Sequence, residues 1–132
     1  LASDTTSRVV SKSIGKDGGR TSYRGLVHIA SGAKNAKASV ICDALLLDEH
    51  SRSDTYPTMR INEETAELTH EATVERIGEE KLFYLTSRGI SKGDAEGLLV
   101  NGFIDPVVKE IPLEYSIELN RLINMEMKNS IG

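Results

Sequence analysis

The feature that most constrains the fold is a change in the spacing of apolar residues near Gly78. Before it, short β-prone runs are separated by turn residues, and after it, apolar residues recur at helical spacing to the end of the chain. The segment that leads up to this change carries the adjacent pair His70 and Glu71. The pattern predicts a strand domain over residues 1–77 and a helical domain over residues 78–132.

The strand domain consists of apolar runs separated by turns. Gly15–Gly19 and Ser31–Ala36 are strong turn signals, and Lys37–Leu47 is the most apolar run. Strands at this irregular spacing fit both a β-sandwich and a β-solenoid. Small corner residues and an aromatic content of only 5% favour the solenoid, in which each coil contacts only its neighbours.

The helical domain carries start and stop signals for three or four helices. Acidic residues occupy the first turn of the first helix, and Gly89 fits its C-terminal cap. Ser91 caps a second helix, which Pro106 either kinks or ends. The last helix, Leu113–Met127, has a wide apolar stripe that fits either a core-facing helix or a helix that fills a groove on a partner protein.

Composition excludes several classes of function. The net charge of -4 and the pI of about 5.4 argue against nucleic acid or an anionic membrane as the main partner. The sequence contains no apolar run long enough to span a bilayer and no signal peptide. The single cysteine, Cys42, excludes an internal disulfide and a thiolate metal cage within one chain, and it favours the cytoplasm as the compartment.

The pair His70 and Glu71 is the most promising chemical feature of the chain. An imidazole beside a carboxylate can bind a metal ion, relay a proton or form a structural hydrogen bond, and the pair alone leaves all three open. His50, Ser51 and Asp54 supply the residue types of a hydrolase triad, but they crowd one polar segment, whereas a triad converges from separate elements. We therefore expect that the chain is not an enzyme.

Longer motifs resemble the SufB/SufD family, which supplies scaffold subunits of the SUF iron–sulfur cluster assembly system. In chain order, these motifs are Tyr23–Ile29, Gly32–Ala36, Cys42–Leu46, Thr55–Pro57, His70–Thr73, Ile77–Glu80, Leu82–Leu85, Ser87–Ile90 and Val100–Phe103. The Asn101–Phe103 box and the Ser130–Gly132 ending resemble SufB more than SufD. The resemblance implies the end of a right-handed parallel β-helix over 1–77, followed by a C-terminal helical domain over 78–132, within a longer protein.

The resemblance also implies a role for the histidine box. In the family, the histidine lies where two protomers pair their β-helices, and it is associated with cluster formation or metal. His70 takes that position, Glu71 matches the acid beside it in SufB-like members, and Thr69 replaces a glutamate that often precedes it. We therefore expect His70 and Glu71 to be metal or cluster ligands for a transient iron–sulfur cluster in the full-length complex, with none bound to this chain alone.

A family cysteine proposed to hold the nascent cluster has no counterpart here, because Ser51 stands at the matching position. A hydroxyl is a far poorer ligand for a soft metal than a thiolate. Cys42 matches a different family cysteine, and we expect it to be a small buried side chain. The resemblance therefore supplies no thiolate ligand from the segment around Ser51.

The resemblance implies two protein partners. One is a SufC-like ABC ATPase, which would carry out ATP hydrolysis; we expect it on Ser91–Pro112, with Val107, Val108 and Ile111 as exposed apolar anchors. The other is a SufB- or SufD-type protomer, paired through the strands of residues 39–77. The alternative function is a SufD-like structural subunit that shapes this interface and holds no cluster.

Overall fold

A computed structural model describes residues 2–129, so the Ser130–Gly132 ending lies outside the described residues. The chain divides after Glu75 into two compact units, which we call the strand unit and the helical unit. The strands are β1 (Thr6–Gly15), β2 (Arg20–Ile29), β3 (Lys37–Leu46), β4 (Arg52–Ile61) and β5 (Glu67–Arg76), and the helices are α1 (Glu79–Ser87), α2 (Lys92–Val108) and α3 (Leu113–Asn129).

Successive strands of the strand unit alternate between two parallel sheets. One sheet has the order β1-β3-β5 and the other consists of β2 and β4. Thr6 lies opposite Lys37 and Arg20 lies opposite Arg52, so the chain returns to the same sheet position after 31 or 32 residues. The parallel pairing confirms the predicted parallel strands and excludes an antiparallel hairpin sandwich for the described residues.

Each turn at one corner of this circuit is bonded to the turn one circuit away. The Asp4 backbone N–H donates to the Lys34 carbonyl at 2.8 Å, and Asn35 Nδ2 donates to Asp4 Oδ1 at 3.0 Å. The Asn35 backbone N–H in turn donates to Thr65 Oγ1 at 2.9 Å. Asp4 and Asn35 have φ values of 56° and 55°, a left-handed conformation that Asp and Asn adopt more readily than most residues.

Small side chains fill the space between the two sheets. Ile29, Ala33 and Ala36 form one buried cluster beside the corner, and Val40, Cys42, Ala44 and Leu46 are buried along β3. Gly15 is buried at the end of β1. A Cβ added there would lie 2.9 Å from Leu46 Cδ2 and 3.1 Å from Ser51 Cβ, so the site has no room for a larger side chain.

Gly25 is a weak point in the sequence of β2, and the structure gives the reason for it. The side chain of Tyr23, two residues earlier on the same strand, occupies the space that a Cβ at Gly25 would take. Glycine inside a strand often marks such a close approach. The position that weakens strand propensity therefore makes room for the aromatic ring.

The helical unit confirms the predicted caps. Ser91 Oγ accepts a hydrogen bond from the Asp94 backbone N–H at 3.2 Å, which opens α2, and Gly89 follows α1 with a φ of 86°. Pro106 lies inside α2 without ending it, so three helices form rather than four. None of the described helices combines the length and apolarity needed to cross a bilayer.

The apolar side chains of α2 and α3 are only partly buried. The buried residues of α2 are Ala95, Val100 and Ile104, whereas Leu98 is 54% exposed. On α3, Leu113 and Ile117 are exposed. The reason is that α2 contacts both α1 and α3, so its buried side is set by two neighbours and not by one apolar stripe.

We predict that Gly15→Ala lowers the free energy of unfolding by about 1–3 kcal/mol, because the added methyl overlaps Leu46 and Ser51 in a packed interior. Urea unfolding measures the change. Gly97→Ala is the matched control, since nothing lies within 4 Å of its added Cβ and alanine is the better helix former. Equal stability of wild type and Gly15→Ala would contradict the close packing of Gly15 against Leu46 and Ser51.

Candidate functional site

His70 and Glu71 lie on opposite faces of β5, which is an edge strand of its sheet. Leu68 and His70 are half-buried, whereas Thr69 and Glu71 are exposed. Successive side chains of a strand point to opposite faces, so this alternation is expected. The two predicted ligands therefore do not close on one metal ion from within a single strand.

The imidazole of His70 carries an unsatisfied group. Its Nε2 atom is buried and has no hydrogen-bond partner among the described residues. Most buried polar side-chain atoms in proteins have a partner, so each exception calls for a physical explanation. An imidazole nitrogen in this state is free to bind a metal ion or a polar group of another molecule.

His70 belongs to no metal-binding cluster within residues 2–129, because no three His, Cys, Asp or Glu side chains there come close enough together to hold a metal ion. Among these residues, the strand unit therefore combines a buried, unpartnered imidazole nitrogen with no closed metal cage.

A polar cavity of about 90 Å³ lies between the two sheets of the strand unit. Hydroxyl side chains dominate its lining, which includes Ser11, Ser13, Thr21, Ser53 and Thr55. Thr21 Oγ1 donates to Ser13 Oγ at 3.2 Å, so the hydroxyls also bind one another across the sheets. A cavity of this size and polarity has room for about three water molecules.

Cys42 lines the same cavity and is buried, which confirms its predicted burial. Burial raises the pKa of the Cys42 thiol, and the charge of the adjacent Asp43 raises it further. The thiolate is the form that attacks or binds metal, so the side chain is held in its less reactive form. Cys42 is therefore a buried side chain whose thiol favours the protonated form.

Ser51 is fully buried and closes the turn between β3 and β4. Its hydroxyl donates to Asp48 Oδ2 at 2.7 Å, while Asp48 Oδ1 accepts from the backbone N–H groups of Ser51 at 2.7 Å and His50 at 2.8 Å. Asp48 Oδ2 also accepts from the Gly18 N–H at 3.4 Å, one circuit away. These hydrogen bonds, above all the one from the Ser51 hydroxyl, hold the pKa of Asp48 well below its usual range.

The arrangement around Ser51 agrees with the rejection of a hydrolase triad. The acceptor for the Ser51 hydroxyl is Asp48 and not His50, and Asp54 is paired with Arg20 at 2.6 Å. Sequence reasoning missed Asp48, although an aspartate three residues before a serine is a known turn signal.

The predicted partner anchors are less accessible than expected. Val107, Val108 and Ile111 are half-buried. The larger exposed apolar surface of the helical unit lies on α1 and α3, where Phe83 is 74% exposed and Leu113 is 70% exposed. The reason is that α2 packs against its neighbours in the helical unit, so the side chains of Val107 and Val108 are partly covered.

We predict that Asp48→Asn destabilises the chain at neutral pH and that the difference from wild type shrinks in acid. The folded-state pKa of Asp48 is lowered, so the stability it contributes is present above the ordinary aspartate pKa and is lost as pH falls through the folded value. Urea unfolding at a series of acidic pH values measures this.

A matched variant separates the charge of Asp48 from its hydrogen bond with the Ser51 hydroxyl. Ser51→Ala keeps the carboxylate and removes its main hydrogen bond, so we expect a cost of about 1 kcal/mol at neutral pH and a weaker pH dependence. A constant difference between wild type and Asp48→Asn at every pH would contradict the assignment of the turn to the ionised carboxylate.

Comparison with known proteins identifies the family. Residues 1–103 match the family model described as SUF system FeS cluster assembly, SufBD core domain. The chain is 52% identical to an iron–sulfur cluster assembly SufBD family protein of Mycobacterium leprae, over 132 residues that make up 100% of this chain and 15% of the relative. It is 51% identical to a SufBD family protein of Staphylococcus saprophyticus, over 99% of this chain and 28% of the relative.

A third relative carries a more specific name. The chain is 50% identical to the iron–sulfur cluster assembly protein SufB of Bacillus subtilis, over 100% of this chain and 28% of the relative. The chain thus spans less than a third of the length of each of these relatives. The family model covers residues 1–103 and the relatives match along the whole chain, so the chain belongs to the SufBD core family of the SUF iron–sulfur cluster assembly system.

Proposed function

We propose that the protein containing this chain is a scaffold subunit on which the SUF system builds an iron–sulfur cluster transiently. In this proposal, the strand unit forms the last coils of a parallel β-helix and the helical unit forms the domain after it. The alternation between two parallel sheets with a circuit of 31 or 32 residues supports the β-helix. Its right-handedness follows from the near-universal hand of parallel crossovers.

One observation carries the role in cluster assembly, namely the buried and unpartnered Nε2 atom of His70. Imidazole nitrogen is a good ligand for iron, and this atom has no competing hydrogen bond within the described residues. The cluster is the cargo of the scaffold. Its other ligands have to come from the rest of the full-length protein or from a partner protein, because residues 2–129 contain no metal-binding cluster. Glu71 projects from the opposite face of β5, so it suits a ligand position on that side only.

The free edge of β5 supports pairing with a second protomer. An edge strand presents unpaired main-chain groups that attract another strand. Val74 on β5 and Met59 and Ile61 on β4 are all exposed. We propose that a SufB- or SufD-type protomer pairs with this chain through the strands of residues 39–77, which brings His70 near the interface of the dimer.

The helical unit is the proposed docking site of a SufC-like ABC ATPase. Its exposed large apolar side chains include Phe83, Leu113 and Ile117, and contiguous patches of such side chains mark interaction surfaces. ATP hydrolysis belongs to the ATPase in this proposal, so the chain itself catalyses no reaction. We propose the cytoplasm as its compartment, where thiols stay reduced and disulfides are rare.

A second candidate function is a SufD-like structural subunit that holds no cluster. The observation that favours it is that Ser51, the residue that the resemblance places where a family cysteine is expected, is fully buried and donates its hydroxyl hydrogen bond to Asp48. The two candidates differ in one measurable property, which is the binding of iron and sulfide by the full-length protein.

We predict that anaerobic reconstitution of the full-length protein with iron and sulfide gives a bound cluster, and that His70→Ala weakens iron binding by about tenfold or more. Metal analysis and the visible absorption spectrum measure both. His50→Ala is the matched control, because the His50 side chain is exposed on a turn. Absence of a cluster in the wild type would favour the SufD-like candidate, and equal binding by His70→Ala would remove His70 from the site.

We predict that Val108→Asp combined with Ile111→Asp weakens binding of the cognate ATPase by about 2 kcal/mol or more, as expected when two apolar anchors are lost. Calorimetric titration measures the affinity, and circular dichroism checks that the variant is folded. Leu113→Asp with Ile117→Asp is the comparison pair on α3. If only the α3 pair weakens binding, the docking site lies on α3 and the proposed anchors are wrong.

A further inference from the structure

The two sheets of the strand unit arrange charged residues differently. In the sheet of β1, β3 and β5, opposite charges neighbour each other across strands: Lys12 Nζ lies 3.0 Å from Asp43 Oδ2, and Lys37 Nζ lies 2.9 Å from Glu67 Oε2. In the other sheet, Arg20 lies directly opposite Arg52, and the ion pair across the strands joins Arg20 to Asp54. Like charges in directly opposite positions destabilise a sheet, and Asp54 compensates Arg20 while Arg52 has no ion pair among the described residues.

Arginines are concentrated on the outward face of β2 and β4. Exposure alternates along β2, with Arg20, Arg24 and His28 exposed and the residues between them more buried. Residues paired across a parallel ladder share a face. The face, which we call the arginine face, consists of Arg20, Ser22, Arg24, Leu26 and His28 on β2 and Arg52, Asp54, Tyr56, Thr58 and Arg60 on β4.

The positive charge of the arginine face is mostly uncompensated. Asp54 is the acidic residue among its ten positions, and it is bound to Arg20 at 2.6 Å. Among the described residues, Arg24, Arg52 and Arg60 form no ion pair. The face therefore presents three available guanidinium groups on a chain whose net charge is -4.

A shallow groove lies in the middle of the arginine face. Its volume is about 400 Å³, and Arg24, Gly25, Leu26, Tyr56 and Thr58 line it. The Arg24 guanidinium lies over the Tyr56 ring, 5.3 Å from its centre, and this contact restrains the direction of the side chain. Leu26 is 59% exposed, so the groove offers an apolar contact beside a positioned cation.

We propose that the arginine face binds a carboxylate-rich segment of a partner protein, which lies along β2 and β4 with an apolar side chain in the groove. Arg52 is level with Arg20, Arg24 lies four residues further along the strand direction, and Arg60 is level with His28, four residues further again. Measured along the strands, the three available guanidinium groups are therefore spaced by about 13 Å. An extended segment with an acidic residue at every fourth position matches this spacing. The guanidinium group binds a carboxylate through two parallel hydrogen bonds, which favours this chemistry over a diffuse attraction.

A protein segment fits this face better than a nucleic acid. Leu26 and the Asp54 carboxylate interrupt the cations, whereas a nucleic-acid strand carries a phosphate at every nucleotide and is best bound by a continuous basic surface. This inference does not rest on cluster binding by His70.

The test uses the full-length protein and a fluorescein-labelled oligoglutamate peptide in an anisotropy titration at low ionic strength, where exposed charges are least screened. The variant Arg24→Gln, Arg52→Gln, Arg60→Gln should bind about tenfold more weakly or worse, as expected for losing three charge-assisted contacts. It should also be at least as stable in urea, because one like-charged pair is removed.

A charge-matched control separates a local site from net charge. Arg8→Gln, Lys34→Gln, Arg88→Gln removes the same number of exposed cations elsewhere and should change the affinity by less than about twofold. Equal weakening by both triple variants overturns the site. No binding of oligoglutamate by the wild type, or tighter binding of a DNA duplex of equal charge, overturns the choice of partner.

Discussion

The hydrogen bonds that join one turn to the next circuit are the interactions on which the strand unit depends. A turn exposes backbone N–H groups that need partners, and here several of them find one in the adjacent circuit. The Gly32 N–H donates to Glu63 Oε2 at 2.9 Å and the Asn35 N–H donates to Thr65 Oγ1 at 2.9 Å. The bond from Gly32, followed by that from the Thr65 hydroxyl, lowers the pKa of Glu63. Because these bonds align each turn with the turn of the adjacent circuit, they also fix which residues of neighbouring strands lie opposite each other.

That register determines what each face of the sheets can do. It places small and hydroxyl side chains between the sheets, where Cys42 and Ser51 are enclosed, and it leaves charged side chains outside. It also places β5 at an edge, so His70 sits where the coil has no further partner strand among the described residues. The Nε2 atom of this histidine is buried and has no hydrogen-bond partner among the described residues.

The sequence predicted the local features and missed those that need two circuits. The change near Gly78, the cap at Gly89 and the burial of Cys42 follow from residue types and spacing along one element. The bond from the Gly18 N–H to Asp48, thirty residues away, and the Arg20–Arg52 pair both depend on how the circuits stack. The main bond of Asp48, from the Ser51 hydroxyl, is local and could have been predicted. The opposite orientation of His70 and Glu71 could have been predicted, because adjacent residues of any strand diverge.

A structure of the full-length protein by electron cryomicroscopy tests the architecture most directly. If stacked turns define a β-helix, the strand that pairs with β1 comes from about 31 residues upstream, runs parallel to it and continues the Asp4–Asn35 corner. A β1 strand that is paired antiparallel, or left at a free edge, would contradict the β-helix and with it the proposed position of His70 at its last coil.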